Sequence, residues 1–135
     1  MSWQENLLTS TEQIRDLITH TKRIAVLGIK TEAQSDQPSV YVPLYMQKAG
    51  FEIVPVPVYY PDATEILGEK VYRKLSDIPG AIDMVDVFRR PPDIDGHVEE
   101  IFAKQPKSVW FQSGIRNDKA AETFAKAGIK VIQDR

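Results

Sequence analysis

IAVLGIKTEAQSDQPSVYVPLYMQKAG, residues 24–50, decides the fold, because it reads as a buried strand, a polar loop and a helix in immediate succession. Residues 24–27 form an apolar run without alternation, which is typical of a parallel strand covered on both faces. Gly28 then frees the backbone to turn away from the strand. Ligands of parallel α/β sheets lie beyond the carboxyl ends of the strands, so the loop after Gly28 is the first place to expect a binding site.

The second half of this stretch predicts a helix that starts at Pro38 or Ser39. The Ser39 hydroxyl can accept a backbone N–H at the N-cap position. Pro43 has no N–H to donate, so we expect it only near the start of the helix, whose first turn would begin after Ser39 or be imperfect. The side chains predicted to form the apolar stripe of this helix are Tyr41, Leu44, Tyr45, Met46 and Ala49.

The rest of the chain repeats the alternation of strand and helix. Four more strands are predicted at residues 51–56, 84–88, 107–112 and 129–132. Pro55 interrupts the first of these, which predicts an edge or near-edge position in the sheet. Short loops between alternating strands and helices imply a mostly parallel sheet with right-handed crossovers. We therefore expect an α/β fold with one Rossmann-like domain, residues 1–135, and a mostly parallel five-stranded sheet with helices on both faces.

Local signals place the remaining helices. A leading helix at about residues 10–21 precedes the core, residues 22–135, and begins with the capping-box spacing of Ser10 and Gln13. Another helix opens at Pro91, and the last one is capped by Asn117. The residues expected on the inner face of the helix after Pro91 are Ile94, Val98, Ile101 and Phe102.

Composition excludes several classes of function. Lys and Arg number 17 against 19 Asp and Glu, a formal charge of −2, and no basic run offers a track for nucleic acid. The chain has no cysteine, and its two histidines, His20 and His97, lie far apart on predicted helices, so we expect surface histidines and no metal site. No apolar run approaches the roughly 20 residues that cross a bilayer, so we expect no membrane contact and a cytoplasmic location.

Two common nucleotide motifs are missing. A dinucleotide site would show GxGxxG after the first strand and an acidic residue at the end of the second, but the loop has the single Gly28 and the second strand ends in Val56 and Pro57. The P-loop signature GxxxxGK[ST] is also absent. These gaps disfavour NAD and hydrolysis of nucleoside triphosphates.

Several segments nevertheless carry a resemblance over residues 24–135. They are IAVLGIK with a downstream PS, ILGEKVYRKLSDIP, VDVFRRP, QSGIRN and the final VIQDR. In this order and spacing they resemble the small stand-alone coenzyme A-binding proteins, whose domain is similar to the amino-terminal CoA-binding domain of the succinyl-CoA synthetase alpha subunit. Two departures are a VPVYYP turn at residues 56–61, where the family commonly has an Asn-Pro-Asn-like turn, and the absence of a cysteine-containing tail after Arg135.

The resemblance implies coenzyme A, or an acyl-CoA, as the ligand. It places the CoA diphosphate near Gly28, Ile29 and Lys30, with Ser39 as a further contact. Arg89 and Arg90 follow a strand and precede two prolines, and arginine forks bind the 3′-phosphate that CoA has and NAD lacks. The remaining residues expected along the cleft are Pro57, Phe88, Gln112, Ser113, Gly114 and Ile115.

Each assignment has a purely structural alternative. Lys30 and the two arginines can be solvated charge, Ser39 only a helix cap, and Phe88 and Trp110 core residues. FQSGI at residues 111–115 is not the GxSxG nucleophile elbow, and Ser113 has no evident histidine and acid partners, so we expect no catalytic residue.

We therefore expect a domain that binds CoA or an acyl-CoA without catalysis of its own and that leaves a protein partner open. Two other classes stay open at this point. One is an acyl-CoA-dependent enzyme or an accessory domain of one. The other is an interaction module that has kept the fold and lost the ligand, for which the altered turn after Val56 is the argument.

Overall fold

The computed structural model describes residues 2–135, and Met1, the first residue of the expected domain, lies outside the described residues. Its strands are β1 (Arg23–Leu27), β2 (Glu52–Val56), β3 (Glu65–Ile66), β4 (Glu69–Lys70), β5 (Met84–Val87), β6 (Ser108–Phe111) and β7 (Lys130–Ile132). Five of them form one parallel sheet in the order β2-β1-β5-β6-β7, and β3 pairs with β4 as a separate antiparallel hairpin. The expected α/β fold with a five-stranded sheet is confirmed, with β2 at an edge.

The helices are α1 (Thr11–Thr19), α2 (Pro38–Lys48), α3 (Pro91–Ile94), α4 (Val98–Lys104) and α5 (Asp118–Lys126). The predicted capping box forms at α1, where Gln13 N–H donates to Ser10 Oγ at 3.1 Å and Ser10 N–H donates to Gln13 Oε1 at 3.2 Å. The predicted Asn117 cap forms at α5, where Oδ1 accepts from Ala120 N–H at 3.0 Å. Within residues 2–135, no helix has the length and apolarity that crossing a bilayer requires.

Each strand of the sheet buries both faces, as the unbroken apolar runs predict. Alternate residues such as Ala25 and Leu27 join a core cluster that includes α5, through Phe124. The intervening residues Ile24 and Val26 join a second cluster with Met84 of β5. Since successive side chains of a strand point to opposite faces, the sheet separates two cores and must be covered by helices on both sides.

Helix α2 corrects three predictions. Its N-cap is Gln37 and Ser39 lies inside the first turn, so Ser39 is not the cap. Pro43 lies in the middle of the helix and is buried, while Tyr41 and Tyr45 are 50% and 75% exposed. Because Pro43 has no N–H for the carbonyl four residues earlier, that Ser39 carbonyl is free to accept Lys30 N–H at 3.4 Å. The proline therefore faces the sheet, and the tyrosines predicted for the inner stripe turn outward.

The helix predicted after Pro91 is also interrupted. The segment Asp95–His97 adopts a 3₁₀ turn between α3 and α4, centred on Gly96, because glycine is a weak helix former. The interruption changes the helical phase, so Phe102 is 42% exposed although it was expected to face inward. It also turns His97 toward the protein, where its side chain is only 17% exposed, contrary to the expected surface position.

The order of the strands locates the crevice of the sheet. The chain runs from β1 outward to β2 at one edge and returns to β5 on the other side of β1. The loops that follow β1 and β5 therefore leave the sheet in opposite directions, and parallel α/β sheets bind ligands at such a point.

Candidate functional site

Gly28 and Phe88 meet at this crevice. Gly28 has φ +90°, and a Cβ atom at this position would lie 2.3 Å from the Phe88 carbonyl oxygen and 3.2 Å from Cδ of Arg89. Only glycine fits a contact this close. The loops after β1 and β5 are thus held together by backbone contact, and the arginines of the second loop stand directly beside the first.

The start of α2 faces the same crevice. Ser39 is 7% exposed and lies in the first turn of the helix, where the Ser39 N–H group and the helix dipole favour an anion. Lys30 Nζ donates a hydrogen bond to Oε1 of Gln37, the N-cap residue, so its ammonium group is held at the helix start. The Ile29 side chain is 1% exposed and packs in the core. A ligand over this loop can therefore reach only the backbone of Ile29.

The two arginines after β5 have different environments. Arg89 is 14% exposed, its Nε donates to His97 Nε2 at 3.2 Å, and its guanidinium carbon lies 5.7 Å from the centre of the Tyr59 ring. Arg90 is 81% exposed, and its Nε pairs with Asp93 Oδ2 at 3.0 Å. Arg89 is thus held in place by its neighbours, whereas Arg90 directs its terminal N–H groups to solvent.

The turn that departs from the family pattern is held rigidly. Arg73 donates from its guanidinium to the backbone carbonyls of Tyr59, Tyr60 and Ala63 at 3.1, 2.6 and 2.8 Å. This clamp holds Tyr59 against Arg89. The altered turn therefore shapes one wall of the crevice and does not fill it.

The loop after β6 forms the opposite wall, and residues 133–135 brace it. Gly114 N–H donates to Asp134 Oδ1 at 2.6 Å, and Asn117 N–H donates to Gln133 Oε1 at 2.7 Å. Asp134 N–H in turn donates to the Ile115 carbonyl at 3.1 Å. Residues 133–135 (QDR) thus support the QSGIRN segment. These contacts explain why the two segments occur together in the sequence pattern that carries the resemblance.

These walls enclose a cleft of about 690 Å³ at the carboxyl edge of the sheet. The candidate residues that line it are Lys30, Ser39, Phe88, Arg89, Arg90, Gln112, Ser113, Gly114 and Ile115. An adjoining space of about 240 Å³ lies between Gly28, the arginines, Val58 and Tyr59. The structure therefore brings the candidates together, except for Ile29, whose side chain is in the core, and Pro57, which is buried and lines neither space.

A buried carboxyl group lies beneath the cleft. Asp86 is 1% exposed, and its Oδ1 accepts a hydrogen bond from the Gln112 amide, while Oδ2 has no partner within residues 2–135. Burial raises the pKa of Asp86 to about 7, although the hydrogen bond from Gln112 opposes this effect. Gln112, a residue of the cleft wall, is thereby oriented by a group in the interior.

Sequence reasoning missed Tyr59, Asp86 and His97. The sequence predicts Tyr59 only as part of a departing turn, and His97 only as a surface residue. A signal for Asp86 exists, since it is the single ionisable residue in the strand MVDV and the strand is buried on both faces.

The fold and the cleft define a Rossmann-like α/β domain with a cleft lined by Lys30, Arg89 and Arg90 at the switch point of its sheet. Residues 22–135 match the family model described as CoA binding domain, and the chain belongs to this family. The resemblance drawn from the sequence segments is thus confirmed.

Individual relatives share most of the chain. The uncharacterized protein YneT of Bacillus subtilis (strain 168) is 37% identical over 125 residues, which are 93% of this chain and 89% of YneT. The structure of cell-free ID.343 from Thermus thermophilus matches with a TM-score of 0.84 at 34% identity, over 94% of this chain and 92% of that one. A hypothetical protein from Pyrococcus horikoshii OT3 matches with a TM-score of 0.83 at 32% identity, over 94% of this chain and 86% of that one.

Proposed function

We propose that this protein binds coenzyme A or an acyl-CoA at the carboxyl edge of its sheet and catalyses no reaction by itself. The observation that carries the proposal is the convergence, in one cleft, of Lys30, the start of α2 at Ser39 and two arginines. Each feature suits phosphate, and CoA carries phosphate at two separate places. The membership of the chain in a CoA-binding family supports the same ligand.

The cleft accommodates the two phosphate regions at different residues. The diphosphate lies over Gly28 and contacts Lys30 and the first turn of α2 at Ser39, where the side chain of the N-cap residue Gln37 makes no capping hydrogen bond. The 3′-phosphate contacts Arg90, whose terminal N–H groups are exposed, and Arg89, which is held in place behind it. The pantetheine arm then follows the wall that begins at Gln112.

The contacts of Ser113 and His97 argue against nucleophilic catalysis. Ser113 is exposed and makes no hydrogen bond to a histidine or a carboxylate in the described part of the chain. His97 is engaged by Arg89 and lies 3.5 Å from Glu100 Oε1, so it supports the arginine loop instead. These contacts favour binding alone over an acyl-CoA-dependent enzyme.

Titration calorimetry with CoA and dephospho-CoA tests the proposal. Wild type should prefer CoA, because a charged hydrogen bond to phosphate contributes about 1.5 to 3 kcal/mol, or on the order of tenfold to a hundredfold in affinity. The double variant Arg89→Ala with Arg90→Ala should lose most of this preference and bind dephospho-CoA almost as wild type does. Arg15→Ala is the matched control, since it removes an exposed positive charge from α1, away from the cleft.

Two results would count against the proposal. Equal losses for both ligands in the double variant would show that the arginines hold the diphosphate or the loop. No binding of CoA at millimolar concentration, measured together with NAD by thermal shift, would reject CoA as the ligand, because a ligand at about 100 times its Kd stabilises by about 2.7 kcal/mol and is easily detected.

A further inference from the structure

A second cavity lies beside the CoA cleft, on the face of the sheet covered by α1 and α2. It measures about 310 Å³. Its walls come from the two helices, with Ile18 of α1 and Tyr45 and Met46 of α2, and its floor from the sheet, with Met84 and Trp110. Within residues 2–135, no charged side chain lines it. We call this cavity the α1–α2 groove.

The α1–α2 groove adjoins the cleft. Val42 and Gln112 line both spaces, so the groove opens where the uncharged wall of the cleft begins. The cationic residues Arg89 and Arg90 line the cleft but not the groove. A CoA molecule whose phosphates contact the cationic residues can place its other end, the thiol, near Gln112 and the mouth of the groove.

The groove has the size and the chemistry for an acyl chain. In the register of the sheet, Met84 pairs with Ser108, four residues before Gln112, so the floor extends roughly 13 Å below the mouth at about 3.3 Å per residue. An enclosed apolar cavity of about 150 Å³ already admits benzene. Two methionines, Met46 and Met84, line the groove and adapt to irregular shapes.

One polar atom of the groove lacks a partner. Trp110 lines the groove, and its indole N–H is buried without an acceptor within residues 2–135. Because this N–H is buried, it does not add a polar group to the surface of the groove. The groove thus presents a mostly apolar surface, as the hydrocarbon chain of an acyl group requires.

We infer that the α1–α2 groove binds the acyl chain of an acyl-CoA, so that the ligand is a medium-chain acyl thioester in preference to free CoA. The inference rests on the proposed function, because CoA in the cleft is what brings the acyl chain to the mouth of the groove. The chain length is limited by the roughly 13 Å of floor, counted from the strand register.

Titration calorimetry with CoA, acetyl-CoA and octanoyl-CoA tests the inference. Each methylene moved out of water can raise affinity by at most about fourfold. Because the groove is open along Ile18 and Tyr45, which are 37% and 75% exposed, we expect a smaller total, with octanoyl-CoA binding tighter than acetyl-CoA by on the order of tenfold to a hundredfold.

Ile18→Glu places a charge at the lip of the groove and should abolish most of the preference for octanoyl-CoA while CoA affinity stays unchanged. Tyr45→Glu is a second variant at a still more exposed position, in case the first disturbs α1. Phe102→Glu is the matched control, because Phe102 is a similarly exposed hydrophobic residue on α4, outside both spaces, and this variant should keep the preference.

Three outcomes overturn the inference. If wild type binds all three ligands equally, the groove takes no acyl chain, although the proposed CoA site stands. If Ile18→Glu weakens all three ligands alike, the residue supports the fold of the cleft. If sedimentation shows a dimer that Ile18→Glu converts to monomer without a change in ligand preference, a second copy of the chain covers the groove. Failure of CoA itself to bind would instead reject the proposed function.

Discussion

Replacing Asp86 by asparagine should make the protein more stable at pH 8 and remove a pH dependence of its unfolding. Asp86 is 1% exposed, and only one of its oxygens is hydrogen-bonded within residues 2–135. Burial penalises the charged carboxylate and raises the pKa of Asp86 from 3.8 to about 7. The folded protein therefore binds a proton more tightly than the unfolded chain does, and stability falls as the pH rises from about 4 through 7.

The pKa values of Asp86 in the folded and unfolded protein determine how much stability is lost. A difference of about 3 units, at about 1.4 kcal/mol each, gives a loss on the order of 4 kcal/mol across the whole window. Applying the linkage relation to the same values places about 3 kcal/mol of this loss between pH 5 and pH 8. The amide introduced by Asp86→Asn has no charge to bury, so the stability of this variant relative to wild type should rise by about that amount between the two pH values.

Urea unfolding of wild type and Asp86→Asn at pH 5 and pH 8 measures this change. Subtracting one free energy of unfolding from the other at each pH removes the contributions of the other titrating groups, which both proteins share. Asp83→Asn is the control. Partial burial raises the pKa of Asp83, but the backbone N–H groups of Arg23 and Lys22 and the Lys107 ammonium outweigh this effect, so its pKa is below the ordinary value. Asp83 is ionised at both pH values, and its replacement should cost the same at each. A constant difference between wild type and Asp86→Asn would refute the reasoning.

Three further predictions concern the loops and caps around the cleft. Gly28→Ala should lower the free energy of unfolding, measured in urea, by more than about 2 kcal/mol, because its Cβ would lie 2.3 Å from a backbone carbonyl. Gly114→Ala is the control: it is also at positive φ, but in residues 2–135 no heavy atom lies within 4 Å of its Cβ, so it should lose only about 1 to 2 kcal/mol. Asn117→Ala should lose about 0.5 to 2 kcal/mol with the cap of α5, and an unchanged urea midpoint would show that the cap contributes nothing. His97→Leu should reduce the preference for CoA over dephospho-CoA in titration calorimetry, because Arg89 Nε loses its hydrogen-bond acceptor. His97→Gln supplies an acceptor again and should keep the preference of wild type. If both variants show the same preference, His97 does not position Arg89.

Gly28 is needed for the fold as well as for the predicted site. The sequence predicts Gly28 only as a turn residue near the CoA diphosphate. The 2.3 Å approach to the Phe88 carbonyl shows that the glycine is also required by the protein itself. Substitutions at Gly28 therefore test stability, and the arginines are the cleaner probes of the ligand.

Much of the fold was readable from the sequence, because its signals are local. An apolar run without alternation at residues 24–27 is enough to predict a doubly covered parallel strand. The caps at Ser10 and Asn117 depend on contacts three residues apart along the chain, and both formed as predicted. The same locality explains why the shared edge of Gly28, Arg89 and Gln112 could be predicted: parallel strands end on one side of their sheet.

Tertiary packing alone decided which faces of the helices turn inward. The predicted inward positions of Tyr41 and Tyr45 are wrong because the buried Pro43 sets which face of α2 meets the sheet, and the composition of the helix does not reveal this. The predicted N-cap role of Ser39 is also wrong, since Gln37 holds the N-cap position. Likewise, the 3₁₀ turn at Gly96 rotates His97 inward to Arg89.

Residues that are far apart in sequence decide whether an ionisable side chain is buried without a partner and whether an aromatic ring packs against a cation. Tyr59 reaches Arg89 only because Arg73 clamps its turn, and Asp86 is protonated more readily only because two layers of helices exclude water from its strand. Short-range patterns therefore determined which elements form and where the cleft lies, while the charge state, orientation and partners of the groups in it follow from long-range burial and contact.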